Sequence, residues 1–460
     1  MIENCIAVIL AAGGKERMKS AYPKVMTRVL SRPMIEWVLD TTEKSGIEHI
    51  CVVSGEEDRE VQALVGQRAS IITQFEQRGT AHAVMQVREF LMLHQECDVL
   101  ILNGDMPLMD VETVHFALAQ HRQTDSDVTV ISTVVDKPFG FCRILRDGKN
   151  EFRGIVEERE ADSRVKKQSE VSTGTFWFKT GVLIEALDNI SARADGTYSL
   201  LDAISALIEN GFKADVYTSL NTSIVLGAND RREISKLNEK ARMDVIYSLL
   251  DAGVNIPCFD GIMIDPMVEI GMDTTILPNT IIYGNTKIGK DCVIGPNSYI
   301  EDSTVGDNSV LDNTKCRLSK VGSFASVGPF VQIRPNSVIA DRVHLGNFVE
   351  VKNSNIDEGT KVSHLTYVGD SDVGRNVNFG CGTVTVNYNG KAKYRTTIGD
   401  NVFIGCNTNL VAPVKVGDNA YTAAGSTITE DVPASSLGIA RARQINKEGW
   451  VSRFKIRDKD

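Results

Sequence analysis

From Cys5 to about Asp230, short apolar runs rich in Val and Ile alternate with stretches whose apolar residues recur at helical spacing. Ile6–Leu10, Ile50–Val53, Val99–Leu102 and Val128–Val134 read as strands, and Pro33–Ser45 reads as an amphipathic helix. Strands alternating with helices predict βαβ units and a Rossmann-like α/β sheet covered on both faces, with ligands beyond the carboxyl ends of its strands. Then the pattern changes. Ile234, Leu237, Ala241, Val245, Leu249 and Leu250 stand near helical spacing with charges between them, which predicts one long connecting helix. Gly253, with Pro257 soon after, stops it. These shifts divide the chain into residues 1–231, a helical linker 232–252 and residues 253–460.

The third stretch has a different period. Isoleucine stands at 264, 270, 276, 282, 288, 294 and 300, always six residues apart. The rhythm returns at Ile398, Ile404, Leu410 and Val416 and, with slips, at Val321, Val327 and Ile333. Glycine often follows the aliphatic residue, as in Ile288-Gly289, Ile294-Gly295 and Ile404-Gly405. On an α-helix this period would carry the aliphatics steadily around the surface. In a parallel β-helix it places one aliphatic inward on each of three faces per coil, so that neighbouring coils stack their apolar residues into a continuous core. Residues 387–396, N-Y-N-G-K-A-K-Y-R-T, break the hexad and are basic and polar. Such an insertion leaves a solenoid as an external loop, often over the binding face.

Size and charge narrow the chemistry. A chain of 460 residues with 42% hydrophobic residues can bury two or three cores. The formal charge of -10 argues against a nucleic-acid surface, though not against a local basic pocket for a small phosphorylated substrate. Nine cysteines, none in a C-x-x-C pair, predict a reducing compartment without a disulfide framework or structural zinc. The opening Met1-Ile2-Glu3-Asn4 has no basic run, and no stretch of about 18 apolar residues occurs, so a cytoplasmic protein with no membrane partner is expected.

Several motifs carry more specific information. In the C-terminal part, Ser363-His364-Leu365-Thr366-Tyr367 holds one of only seven histidines, and Ile333-Arg334-Pro335 and Glu350-Val351-Lys352 supply cations. In the N-terminal part, Leu10-Ala11-Ala12-Gly13 follows an apolar strand, with Arg17 and Lys24 beyond it. Further on come Gln74-Phe75-Glu76-Gln77-Arg78-Gly79-Thr80-Ala81-His82-Ala83 and Asn103-Gly104-Asp105-Met106-Pro107-Leu108. In this order and over nearly the whole chain, these motifs resemble the bacterial bifunctional N-acetylglucosamine-1-phosphate uridylyltransferase / glucosamine-1-phosphate N-acetyltransferase family.

The resemblance implies a left-handed β-helix of hexapeptide repeats that assembles as a homotrimer and moves acetyl from acetyl-CoA to the amine of glucosamine 1-phosphate. It implies that the first domain then joins N-acetylglucosamine 1-phosphate to UMP from UTP with Mg²⁺, releasing pyrophosphate. The product, UDP-N-acetylglucosamine, feeds peptidoglycan and lipopolysaccharide synthesis. By the match, His364 is the general base, which acetyl transfer to an amine requires. Arg334 and Lys352 match the phosphate ligands, and a planar guanidinium can hold two phosphate oxygens at once. Tyr367, Asn378 and Lys393 match sugar-binding positions. Asn387 and Tyr388 match a pair that touches acetyl-CoA or the sugar amine, and Ala424 and Arg441 match CoA contacts. Cys381 and Cys406 stand where the family has other small residues, and direct transfer to an amine needs neither as a nucleophile.

In the first domain, glycine-rich turns such as the one at Gly13 let backbone N–H groups approach phosphate. There the match assigns Leu10, Ala11, Ala12, Gly13, Arg17 and Lys24 to the triphosphate, and Gln74, Gly79 and Thr80 to the uracil. Asn103 and Gly104 fall in the nucleotide site, with Glu157 among its sugar contacts, and Asp105 and Asn229 match the Mg²⁺ ligands. The chain also departs from the family pattern. Lys15 and Glu16 replace a loop glycine and a small hydroxyl residue, Cys142 replaces the second glycine of G-Y-G-R-I, and Ser172 replaces the asparagine of N-T-G. Three readings stand at this point: a bifunctional enzyme, an acetyltransferase whose first domain is impaired or re-specified, and a nucleotidyltransferase whose β-helix only oligomerises it.

Overall fold

The computed structural model describes residues 3–13 and 18–453. The chain forms two compact units, Met1–Met243 and Asp244–Asp460.

The first unit is built on a mixed sheet. Its path contains β1 (Cys5–Leu10), β2 (His49–Gly55), β3 (Ser70–Gln74), β4 (Asp98–Asn103), β5 (Val128–Val134), β6 (Glu170–Lys179) and β7 (Ala214–Ser219). They lie in the order β7-β5-β6-β4-β1-β2-β3, and a hairpin of Arg143–Arg146 and Phe152–Val156 pairs with β6. β6 runs antiparallel to both neighbours, while β1 is parallel to β2 and β4. Along β1, Ile6 and Val8 enter the core on one face and Ala7 and Ile9 the core on the other. Burial on both faces is why the strand reads as an unbroken apolar run rather than an alternation. The helix expected at Pro33–Ser45 spans Met34–Lys44, with those two residues as its caps.

A helix at Arg231–Asp251 follows the sheet. Its start is fixed by Asp230, whose carboxylate accepts from the N–H groups of Arg232 (2.8 Å) and Glu233 (2.9 Å). Its end is a glycine turn. Gly253 sits at φ 86°, its N–H donating to Leu250 and that of Val254 to Leu249, both at 3.0 Å.

The second unit is a coil of parallel strands in three sheets of 10, 9 and 10 strands. The hexad explains them. Ile264, Ile282 and Ile300 pair successively in one sheet, Ile270 with Ile288 in the second, and Ile276 with Ile294 in the third. The first column continues through Cys316, Ile333, Val351 and Val368, all at most 1% exposed. Corners need a left-handed residue, and Asn or Asp supplies it at Asn279, Asp291, Asn297 and Asn308, whose φ lies between 54° and 58°. Polar side chains tie one corner to the next: the Asn285 N–H donates to Asp302 and the Lys290 N–H to Asp307, both at 3.0 Å.

The insertion lies between stacked partners Ser371–Val373 and Thr396–Ile398. Thr396 is already back in the coil, so the excursion ends one residue before the predicted boundary. Its tip is a narrow hairpin, with Tyr388 bridging Lys393 and the Asn389 N–H donating to Ala392 at 3.2 Å.

Ile282 is fully buried between Ile264 and Ile300. Ile282→Ala should therefore cost about 2–5 kcal/mol in denaturant unfolding of the second unit. Lys287→Ala, on the outside of the same coil, should cost less than about 1 kcal/mol, because it breaks only an exposed ion pair with Glu269.

Candidate functional site

In the first unit, the carboxyl ends of β1 and β4 open onto a cavity of about 440 Å³ lined by Leu10, Ala12, Gly13, Lys24, Gln74, Gly79, Thr80, Asn103, Asp105 and Asn229. Ten of the predicted residues therefore share one wall-to-wall space. Ala11 is turned away from it, 1% exposed, with its N–H bonded to Val53 at 2.8 Å. Gly104 is packed against the β1 terminus, its N–H donating to Leu10 at 2.8 Å. Arg17, with Lys15 and Glu16, lies outside the described residues.

Each wall residue is positioned by a local constraint. Gly79 has φ 100° and presses on the Tyr198 backbone, which leaves no room for a Cβ. Thr80 begins a short helix, and its hydroxyl accepts from the Leu200 N–H at 3.1 Å. Gln74 is 4% exposed and is held by His82 at 3.0 Å. Lys24 forms an ion pair with Asp105 and donates to the Asn229 side-chain oxygen at 2.7 Å. One ammonium thus touches both oxygens assigned to a metal, so the two converge on a space one cation wide. One carboxylate and one amide carbonyl suit Mg²⁺, which keeps several waters and takes substrate phosphates as its other ligands. Among the described residues there is no cluster of three or more His, Cys, Asp or Glu that would form a full protein cage.

A second cavity of about 900 Å³ adjoins the first, sharing Leu10, Thr80, Asn103, Asp105 and Asn229 and adding Phe139, Phe141, Cys142, Glu157, Ser172 and Gly174. Glu157 is pinned by Arg193 at 2.6 Å and Arg159 at 2.9 Å. The Ser172 hydroxyl turns back to accept from the Gly174 N–H at 3.1 Å. Burial pushes the Cys142 thiol up to about 11, so it stays neutral and acts as a small apolar wall.

In the second unit, the first sheet gathers the predicted cations. Ile333 pairs with Val351, so Arg334 stands one coil from Lys352. Arg334 donates to Glu350 at 2.9 Å. The insertion brings Lys393 against Lys352, and this neighbouring ammonium, followed by partial burial, holds Lys352 below the usual lysine range. Tyr367 lies in the next strand of that sheet, and its hydroxyl is 3.4 Å from the Asn387 side-chain nitrogen. Tyr388 is exposed on the insertion.

His364 ends the third-sheet strand Lys361–His364, just before the left-handed corner at Leu365; it is exposed, and its ring has no hydrogen-bond partner among the described residues. Val362 pairs with Phe379 and Phe379 with Ile404, which pairs with Thr422. Continuing that register by two residues stacks His364, Cys381, Cys406 and Ala424 along one corner. The Cys381 carbonyl accepts from Asn407 at 2.7 Å, and the Cys406 carbonyl from Gly425 at 2.8 Å, as the stack requires. The Arg441 side chain passes Gly425 on the same corner. Asn378 does not join the cation cluster within one chain, because it begins a strand of the third sheet. Sequence reasoning missed Asp370, which lies against Asn387 in this cluster. It follows Gly369 at a left-handed corner, φ 48°, and its position just ahead of the insertion is the signal that could have singled it out.

A mixed α/β sheet whose strand ends open onto a cavity holding Lys24, Asp105 and Asn229, followed by a β-helix of hexapeptide repeats that exposes a histidine and a cluster of cations, defines a two-domain transferase. Residues 6–222 match the Nucleotidyl transferase family, and residues 267–302 and 395–430 match the Bacterial transferase hexapeptide (six repeats) family. The chain is 47% identical over 451 residues to the Bifunctional protein GlmU of Caldanaerobacter subterraneus subsp. tengcongensis, covering 98% of each chain. It is 45% identical over 451 residues to that of Thermoanaerobacter pseudethanolicus, again covering 98% of each, and 41% identical over 456 residues to that of Clostridioides difficile, covering 99% of each. The chain belongs to the bifunctional GlmU family.

Removing the Lys393 ammonium should let Lys352 hold its proton to higher pH. In Lys393→Met, competitive labelling of amines read by mass spectrometry should show Lys352 titrating above its position in the parent protein.

Proposed function

We propose that the protein makes UDP-N-acetylglucosamine in two steps, one in each unit, and that the residues assembled above carry them. The observation that supports this most directly is that both predicted sites are gathered on one chain, whose family membership runs through both units.

For acetyl transfer, Arg334, Lys352 and Lys393 hold the phosphate of glucosamine 1-phosphate, and Tyr367 and Asn387 meet the sugar. The acetyl-CoA thioester lies along the corner of Cys381, Cys406 and Ala424, with Tyr388 and Arg441 as further contacts. His364 stands one coil from Cys381 in that register. It accepts the proton of the amine as nitrogen attacks the thioester carbon and the CoA thiolate leaves. Both cysteines serve as small residues, not nucleophiles. Asn378, on another face, serves a neighbouring copy in a homotrimer.

For uridylyl transfer, Gln74, Gly79 and Thr80 receive the uracil, and the Gly13 turn, Arg17 and Lys24 receive the triphosphate. The N-acetylglucosamine 1-phosphate fills the larger cavity against Glu157, Cys142 and Ser172. Its phosphate oxygen attacks the α-phosphorus in line, and pyrophosphate departs. Asp105 and Asn229 would hold Mg²⁺, which neutralises phosphate charge when bound. Lys24 then leaves Asp105 and turns to the phosphates. The protein works in the cytoplasm, and no described helix is long and apolar enough to cross a membrane.

Two substitutions separate the steps. His364→Ala should lower acetyl transfer by about 10²–10⁴-fold and leave pyrophosphate release from UTP and N-acetylglucosamine 1-phosphate intact. Asp105→Asn should do the reverse and raise the Mg²⁺ concentration needed for half-maximal uridylyl transfer. Equal loss of both activities in either variant would overturn the division of labour.

A further inference from the structure

Asp370 has no part in the roles assigned above, yet it forms the floor of the cation cluster. It is 5% exposed and sits at a left-handed corner with φ 48°, immediately after the strand Tyr367–Gly369. Its N–H donates to Lys352 at 2.9 Å, and its carbonyl accepts from Thr396 at 3.1 Å, so its backbone joins the coil to the returning end of the insertion. Each carboxylate oxygen has its own amide donor. Oδ1 accepts from Asn353 Nδ2 at 2.5 Å, and Oδ2 accepts from Asn387 Nδ2. Burial pulls this carboxyl up, but the two amide donors and the ammoniums of Lys352 and Lys393 outweigh it and hold it below the usual carboxylate range.

An ionised carboxylate can only accept hydrogen bonds. Asn387 must therefore turn its NH₂ toward Asp370, and its carbonyl oxygen faces the other way. That oxygen accepts no hydrogen bond from a described residue. The direction matters for an amine nucleophile. A carbonyl oxygen takes an amine N–H and leaves the nitrogen lone pair free to attack, whereas an NH₂ in the same place would donate to that lone pair and block it.

We propose that Asp370 is a positioning residue for acetyl transfer: it locks the Asn387 amide with its oxygen toward the acceptor amine and sets one fixed negative charge beneath Lys352 and Lys393. This role rests on the reading that the cluster binds an amino sugar phosphate. It predicts a polarity requirement that a merely structural aspartate would not have, because the same two side chains with donor and acceptor exchanged should still work.

The test is steady-state acetyl transfer by the full chain, with glucosamine 1-phosphate varied, for the parent, Asp370→Asn, and the exchanged pair Asp370→Asn/Asn387→Asp. Melting temperature and uridylyl transfer are followed alongside as controls of folding. In the single variant the Asn387 amide is free to flip, and kcat should fall about a hundredfold, by more than KM rises. In the exchanged pair, the carboxylate at position 387 accepts from the amide at 370 and keeps an oxygen toward the amine, so at least about tenfold of the loss should return. The proposal is overturned by a single variant whose kcat stays within about twofold of the parent, or by a folded exchanged pair no better than the single variant. An unmodified protein with no acetyl transfer would instead refute the functional reading itself, and this role with it.

Discussion

The second unit depends on one constraint: every coil must lay its inward aliphatic on the one before. Ile264, Ile282 and Ile300 meet this directly, and the column survives the shortened coils because Cys316 and Ile333 still fall on the same line. A strand of two or three residues buries too little surface to stand alone, so each coil is stable only through its neighbours. Outward residues inherit the same order. Once inward partners are fixed, Arg334 stands by Lys352, and His364 shares a corner with Cys381, Cys406 and Ala424. The core thus determines the spacing of the chemistry.

That inheritance explains what could be read in advance. The hexad showed the solenoid because its period is set by close packing, which tolerates little variation. The strands of the first unit were legible for the same reason, as runs buried on two faces of one sheet. Residues assigned by motif in that unit fall largely in one cavity, since β1 and β4 are neighbours and both motifs sit at their carboxyl ends. Asp370 was not legible. Its partners Asn353 and Asn387 are separated from it by seventeen residues along the chain in opposite directions, and the second reaches it only through the start of the insertion. Sequence spacing also could not show that Asn378 stands on a different face from Lys352. That depends on which of three sheets each hexad enters, and one short coil changes the count.

The departures from the family pattern read differently in three dimensions. Cys142 and Ser172 stand side by side, with the Ser172 N–H donating to the Cys142 carbonyl at 2.9 Å. Both line the larger cavity, which remains open around them. The Ser172 hydroxyl, already turned to Gly174, offers the cavity less hydrogen bonding than the family's asparagine would, and the neutral Cys142 thiol adds little. On the proposed function, the pocket's polar contacts with the sugar therefore lean on Glu157, which Arg193 and Arg159 fix in place.

On the proposed function, both units meet the same electrostatic problem, and they solve it in the same way. A pocket that must hold phosphate needs cations close together, and cations close together repel until phosphate arrives. Each is therefore given an acidic neighbour in advance: Lys24 has Asp105, Arg334 has Glu350, and Lys352 and Lys393 have Asp370. These partners differ in how readily they let go. The Arg334–Glu350 pair is well exposed on both sides and is worth about 1 kcal/mol or less, so a phosphate can displace Glu350 at little cost. Asp370 is buried and bound by two amides, and freeing it would leave a charge without partners, a change that costs about 3–5 kcal/mol. Burial and two amide donors thus hold Asp370 more firmly than the exposed Glu350 is held. Exchangeable partners suit the face that binds; the fixed one suits a residue whose task is to hold its neighbours in place.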